Sequence, residues 1–317
     1  MAVSSAGSER VADPIRGISL KIVSVMVFVC MQTSLKLGGE GIPAGELVFF
    51  RSFFALVPVL AYLWWLGDLR TALKTDDLVG HVWRGVIGVT SMSLGFFALT
   101  RLAYPEWISI SYASPLLTVV FAALFLKEQV RLFRWIAVLV GLIGIVIVTA
   151  PTLTLFSEGM DRVQGIGILA SLAAAAVAAV AMIQIRRLVR KEKTATIVVY
   201  FTLTSSALSL LTLPFGWVVP SPQQCAFLVF AGLCGGVGQL LLTACYRHAD
   251  ASTIAPFEYT SLLLAVAIGA FLFDEIVLPT TLLGGFVVVM AGIYIIFREH
   301  QLGIQRRKAR RVSPPGG

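Results

Sequence analysis

Long apolar runs, separated by short joints marked by glycine, proline or charge, fill almost the whole chain. Ten runs can be read, at 17–37, 44–66, 80–100, 104–126, 133–150, 163–185, 195–215, 224–246, 252–273 and 279–297. Each holds about the 20 residues that a helix rising ~1.5 Å per residue needs to cross ~30 Å of hydrocarbon. The joints carry the residue types expected at helix ends. The first run is too long, and too poor in a small-residue cleavage site, for a removed signal peptide, so it is retained as the first helix. A polar tail, 1–16, precedes the runs and a basic tail, 298–317, follows them.

Composition turns this pattern into a class. The 317 residues are 57% hydrophobic and 13% charged, with a mean hydropathy of +0.88. Soluble domains carry about a quarter charged residues, so a water-soluble globule is excluded. No polar stretch is long enough for a separate catalytic domain. The net charge of +8 reads as topology and not as nucleic-acid binding, because cytoplasmic loops collect Lys and Arg. With the N-terminus inside, 21 of the 25 Lys and Arg fall in cytoplasmic segments, Lys21 and Arg84 among them. The remaining four are Lys36, Arg51, Arg101 and Arg162. This bias predicts ten crossings of the bacterial inner membrane with both ends cytoplasmic. Four cysteines and three histidines show no ligand spacing, so neither a metal site nor a cofactor is expected.

The chain also repeats itself. At a constant offset of 147, Tyr112, Ser114 and Glu128 meet Tyr259, Ser261 and Glu275. Ala98-Leu99-Thr100-Arg101 matches Ala244-Cys245-Tyr246-Arg247 at an offset of 146. Five helices per half is odd, so the halves enter the membrane from opposite sides. The charges agree: Lys127 to Arg134 is basic, whereas the matching Asp274 to Pro279 has no Lys or Arg. Inverted repeats of this kind are a recurrent plan of secondary transporters, with the substrate near the midplane.

The Ala-x-x-Arg starts, the aromatic and small residues that follow, and the closing turns Leu126-Lys127-Glu128-Gln129 and Phe273-Asp274-Glu275-Ile276 resemble the EamA family of the drug/metabolite transporter superfamily. The stretch Leu47 to Ala55, with Arg51 inside it, is similar to that family's second helix. The resemblance implies an all-α membrane protein of ten transmembrane helices, built as two inverted five-helix repeats (17–150 and 163–297) around a central cavity. It implies alternating access and a small-molecule substrate. The run Pro256-Phe257-Glu258-Tyr259-Thr260-Ser261 resembles an importer-like bacterial branch that includes riboflavin transporters. Riboflavin uptake is therefore the specific expectation. Uptake of S-adenosylmethionine or another metabolite, and export of amino acids or drugs, are the alternatives. A membrane-embedded enzyme would need a nucleophile–base pair or a metal motif, and none is read here. A scaffold would leave Arg51 and Glu258 without a task.

Seven residues are expected to bind substrate: Gln32, Arg51, Trp107, Tyr112, Gln239, Glu258 and Tyr259. Arg51 lies within an apolar run, where a cation costs ~2.5–3.5 kcal/mol on insertion scales and must face the bundle interior. It meets an anionic or carbonyl-rich substrate, serves as a gate, or pairs with an acid such as Glu46 or with helix-end carbonyls. Glu258 either couples a proton or contacts substrate, or else pairs with Arg247 or His248. Gln32, Gln184 and Gln239 serve either a ligand or interhelical hydrogen bonds. Trp107, Tyr112, Phe257 and Tyr259 form an aromatic set suited to a flat ligand, although Trp107 also fits an interfacial belt with Trp64, Trp65, Trp83 and Trp135. Pro115 and Pro256 either interrupt or kink their helices. Glu128 and Glu275 read as anchors of the closing turns.

Overall fold

The computed structural model describes residues 14–126, 130–155, 162–188, 192, 194–248 and 255–312, and all their regular structure is helical. The first half holds α1 (Pro14–Gly38), α2 (Ala44–Trp65), α3 (Leu78–Leu99), α4 (Tyr104–Ser111), α5 (Ala113–Leu126) and α6 (Leu132–Leu155). The second holds α7 (Arg162–Leu188), α8 (Thr194–Leu210), α9 (Pro222–His248), a 3-10 turn (Ala255–Tyr259), α10 (Thr260–Leu272) and α11 (Pro279–Val312). Eight crossings are long and apolar enough to span a membrane, with α4 and α5 counted as one, and Ala195–Leu210 and Phe257–Leu272 are two shorter apolar helices. We call the face where α1 begins the near face and the opposite one the far face.

The tails differ from expectation. α1 starts at Pro14, inside the polar tail, and α11 runs through the basic tail to Val312 instead of stopping at 297. The run 195–215 ends its α-helix at Leu210 and closes with a 3-10 turn, Leu213–Phe215.

The fourth and ninth crossings are broken, and at related places. Pro115 lacks an N–H and its ring collides with the carbonyl of residue 111, so an α-helix cannot continue through that turn. α4 ends at Ser111, and Pro115 falls in the first turn of α5, where proline is tolerated. In the second half a 3-10 turn containing Pro256 precedes α10. The regular helices restart at Ala113 and Thr260, immediately after Tyr112 and Tyr259. Pro115 thus interrupts its crossing, and Pro256 lies in the 3-10 turn that leads into α10.

Packing follows a pseudo-two-fold relation between the halves. α1 lies along α9 as α7 lies along α3, and α2 meets α9 as α8 meets α3. α2 against α8, and α6 against α11, are contacts that the relation maps onto themselves. Five crossings per half make the two halves traverse in opposite senses. At the α6–α11 crossing the backbones touch: a Cβ on Gly144 would stand 2.8 Å from the Gly284 carbonyl, and one on Gly284 2.8 Å from the Val148 amide. Small residues allow such approach between membrane helices. Leu139, Ile143, Leu283, Phe286 and Met290 on the outer sides of this pair are exposed, as lipid-facing residues are. Trp64, Trp65, Trp83 and Trp135 are exposed near helix ends, in keeping with the belt reading.

Candidate functional site

The expected site residues fall into two groups. The first lies where α1 meets the two broken crossings. Lys21, counted in sequence as a loop charge, is buried (1% exposed) within α1, and its ammonium pairs with the carboxylate of Glu258. This replaces the expected pairing of Glu258 with Arg247 or His248. Glu258 itself is half exposed, its side chain at 52%. At the far face Lys36 pairs with Glu275 at 2.6 Å and donates to the Leu102 carbonyl at 2.5 Å. Glu275 also accepts the Tyr104 amide at 2.8 Å. Asp274, with a φ of 50°, takes the left-handed conformation that lets the Glu275 amide return to the Gly269 carbonyl at 2.9 Å. Glu275 is thus the anchor the sequence suggested, whereas Glu128 lies outside the described residues.

Between these ion pairs sit the aromatics. The Tyr112 and Tyr259 rings meet edge to face, 5.0 Å apart and inclined by 71°. The Tyr112 hydroxyl is 2.5 Å from Ser261 Oγ, which donates to the Glu258 carbonyl at 2.7 Å. The Tyr259 hydroxyl lies against Gly292 of α11, where any Cβ would collide with it. Trp107 is buried (7% exposed) and its Nε1 donates to the Gly95 carbonyl at 2.9 Å. The interfacial reading of Trp107 is therefore incorrect: that indole is tied to α3 within the bundle. Gln32 accepts the Tyr104 hydroxyl at 2.9 Å. Gln239 and Gln184 are half-buried on α9 and α7.

The second group surrounds Phe201 of α8. The Arg84 guanidinium lies 4.0 Å from the ring centroid and that of Arg51 lies 5.8 Å away. Both arginines are buried, at 8% and 5% exposure. The acid expected to pair with Arg51 is elsewhere: Glu46 accepts the Val218 amide at 3.1 Å. Neither arginine has a carboxylate partner among the described residues. Nε of each, and Nη1 of Arg84, are buried with no hydrogen-bond partner. Two glycines hold the space. A Cβ on Gly88 would strike Arg84 Nη1 and Phe201, and one on Gly235 would lie 3.2 Å from Arg51 Nε. Gly88 and Gly235 stand 147 apart, the offset that relates Tyr112 to Tyr259. A buried ion without a counter-charge costs several kcal/mol, and a desolvated cation–π contact returns ~2 kcal/mol. The cluster is therefore under-compensated.

Arg84 was missed in sequence because it was assigned to the preceding loop. A signal existed: the Asp77 carboxylate caps α3 by accepting the Gly80 amide at 2.8 Å, which puts Arg84 well inside the helix. An Asp just ahead of the run 80–100 marks the same start.

A cavity of about 470 Å³ lies away from both groups, at the near face, lined by Leu73, Lys74, Thr75, Asp76, Leu78, Glu192 and Tyr200. It is not the expected central cavity. Glu192 accepts the Thr75 hydroxyl at 2.6 Å and the Asp76 amide at 3.1 Å, tying the two near-face loops together. The Thr75 bond, helped by the Asp76 amide and by His81, holds the Glu192 carboxyl below the usual glutamate range. A depressed carboxylate stabilises the fold above its unfolded pKa of about 4.3, and that contribution fades as pH falls through the folded value. Melting curves should show Glu192→Gln less stable than wild type at pH 7, with the gap closing below about pH 4. A gap independent of pH would mean that the side chain acts through packing alone.

Comparison with known proteins places these features in context. The EamA-like transporter family matches the chain twice, over residues 15–150 and 165–298. The S-adenosylmethionine uptake transporter of Rickettsia felis is 26% identical over 89% of this chain and 93% of its own length. The riboflavin transporter of Vibrio cholerae is 28% identical, covering 80% of this chain and 83% of its own. The pseudopaline exporter CntI of Pseudomonas aeruginosa is 27% identical, covering 87% and 94%. A solved crystal structure at 19% identity superposes with a TM-score of 0.62 over 88% of this chain and 96% of the other, a likeness of fold.

Proposed function

The chain belongs to the EamA-like transporter family, and from that premise we propose a secondary transporter that takes up a small organic metabolite across the bacterial inner membrane by alternating access. The observation that carries this reading is the near-full-length similarity to relatives named for uptake of S-adenosylmethionine. The two broken crossings meeting at Tyr112 and Tyr259 support it, since interrupted helices at a repeat interface free backbone groups to line a substrate path. We place both termini in the cytoplasm. With Lys21 and Arg84 removed from the loop count as buried, 19 of the 25 Lys and Arg (21 less 2) still fall on that side.

The substrate contacts in this reading are Gln32, Trp107, Tyr112, Gln239, Glu258 and Tyr259 along the α1 seam, with Arg51 across from them. S-adenosylmethionine is the first substrate to test. Riboflavin is the second reading, favoured by the paired tyrosine rings and by the Vibrio relative. The test is uptake of each labelled compound into liposomes holding the purified protein, with and without an imposed proton gradient. Accumulation of S-adenosylmethionine above empty liposomes supports the first reading, and accumulation of riboflavin alone moves it to the second. Outward movement alone would reverse the direction, and no flux of either compound would remove both substrates.

A further inference from the structure

We propose that the Arg51–Phe201–Arg84 cluster is the anion site of the transport path, and that it takes the carboxylate of the transported metabolite. The substrate class is then a small organic acid or zwitterion and not a neutral ring system. The inference rests on the transporter reading and deepens it.

Four observations carry it. Two like charges, 5% and 8% exposed, converge on one ring with no carboxylate opposite either of them among the described residues. Three of their nitrogen atoms are buried without an acceptor. A structural role would pair each guanidinium with an acid or with helix-end carbonyls, and the nearest acid by sequence, Glu46, is committed to Val218. Last, Gly88 and Gly235 occupy repeat-related positions where any side chain would press on a guanidinium. A glycine from each half thus lets a guanidinium pack directly against the helix backbone.

The chemistry selects a carboxylate. A guanidinium presents its N–H groups as a planar fork that matches two carboxylate oxygens, and a second arginine supplies further donors to the same group. The Phe201 ring lies within cation–π range of both, 4.0 Å from Arg84 and 5.8 Å from Arg51. The depth also fits. Arg51 lies about seven residues from the far end of α2 and Arg84 about six from the near end of α3, so each stands ~10 Å along its helix axis from a different face. A site between them can be approached from either side, as alternating access requires. A halide would answer the charge without using the fork, whereas a phosphate would use it, so the phosphate arm of the test separates that anion from a carboxylate.

The test measures binding of labelled S-adenosylmethionine and of its decarboxylated form to the purified full-length protein. Melting shifts with sodium chloride, sodium phosphate and riboflavin run alongside. Wild type should prefer the carboxylate form by about 10- to 100-fold, the range of a charge-assisted hydrogen-bonded pair. In Arg84→Gln and Arg51→Gln the preference should fall to near one, while the ligand-free melting temperature stays at or above that of wild type. Equal binding of the two forms to wild type, or a preference that survives both substitutions, overturns the proposal. A chloride or phosphate shift as large as that of the carboxylate reassigns the cluster to an inorganic ion and overturns it too. If S-adenosylmethionine does not bind, matched amino acids and their amides replace it. An acid-over-amide preference lost in Arg84→Gln then upholds the site and retires only that substrate, and no preference across the set overturns the site. Undiminished S-adenosylmethionine uptake by Arg84→Gln would keep the transporter reading and remove this one.

Discussion

Glu258→Gln is expected to destabilise the protein by about 3 kcal/mol, the lower end of what breaking a buried ion pair costs. The lower end applies because Glu258 is half exposed, whereas Lys21 is 1% exposed. The loss arises from Lys21, whose ammonium would remain inside the bundle without its counter-charge. Removing both charges should therefore restore most of the stability: Lys21→Met/Glu258→Gln should melt within a few degrees of wild type, and Glu258→Gln alone well below it. The double variant also separates two roles for Glu258. Because Glu258 is also placed among the substrate contacts, the double variant should fold near wild type yet weaken substrate exchange and gradient-driven accumulation together. Loss of accumulation with exchange intact would instead make Glu258 the proton-coupling group.

Arg84→Met should have the opposite sign. Two adjacent guanidiniums without a carboxylate repel each other in a poorly solvated interior, and replacing buried charges by apolar groups of similar size stabilises by about 1–4 kcal/mol. Arg84 stands 4.0 Å from the Phe201 centroid, so the substitution gives up a cation–π contact worth ~2 kcal/mol. With no carboxylate pairing to lose, the upper part of that range applies, and the net expectation is a gain of up to about 2 kcal/mol in ligand-free protein, read as a higher melting temperature in detergent. Groups kept at the expense of stability mark functional sites, where stability and activity trade off. A lower melting temperature for Arg84→Met would show that the fold uses the charge, and would count against a ligand role for the cluster.

Much of the fold was legible in the sequence because lipid imposes simple rules. Ten crossings follow from run length alone, and the constant offset between Tyr112 and Tyr259 marks the repeat. Pro115 announced the break at Ser111 through its missing N–H. The errors have one cause: a charge near the end of an apolar run does not say whether it faces water or the bundle. Lys21 and Arg84 read as loop charges on that ground, yet both are buried within helices, and their partners lie at positions 258 and 201. Trp107 carried the same ambiguity, resolved only by the Gly95 carbonyl it meets. Hydropathy reports depth along the membrane normal. Which side of a helix is turned inward depends on neighbours far away in the chain.

The two ion pairs of α1 bear on how such a bundle can move. Lys21 fixes the near end of α1 to Glu258, and Lys36 fixes its far end to Glu275. Both acids flank the ninth crossing, and α9 runs along α1 between them. α1, α9 and α10 are therefore tied together, although α1 comes from the first half and the other two from the second. By the same two-fold relation α7 is lodged against α3 and α5. Each half has lent its opening helix to the other. The unit of duplication in the sequence is thus not the unit of packing in the membrane: under the proposed alternating access, the bodies that would swing are chimaeras of the two halves. In that proposal the seam along which they would part runs between α2 and α8, where Arg51 faces Phe201.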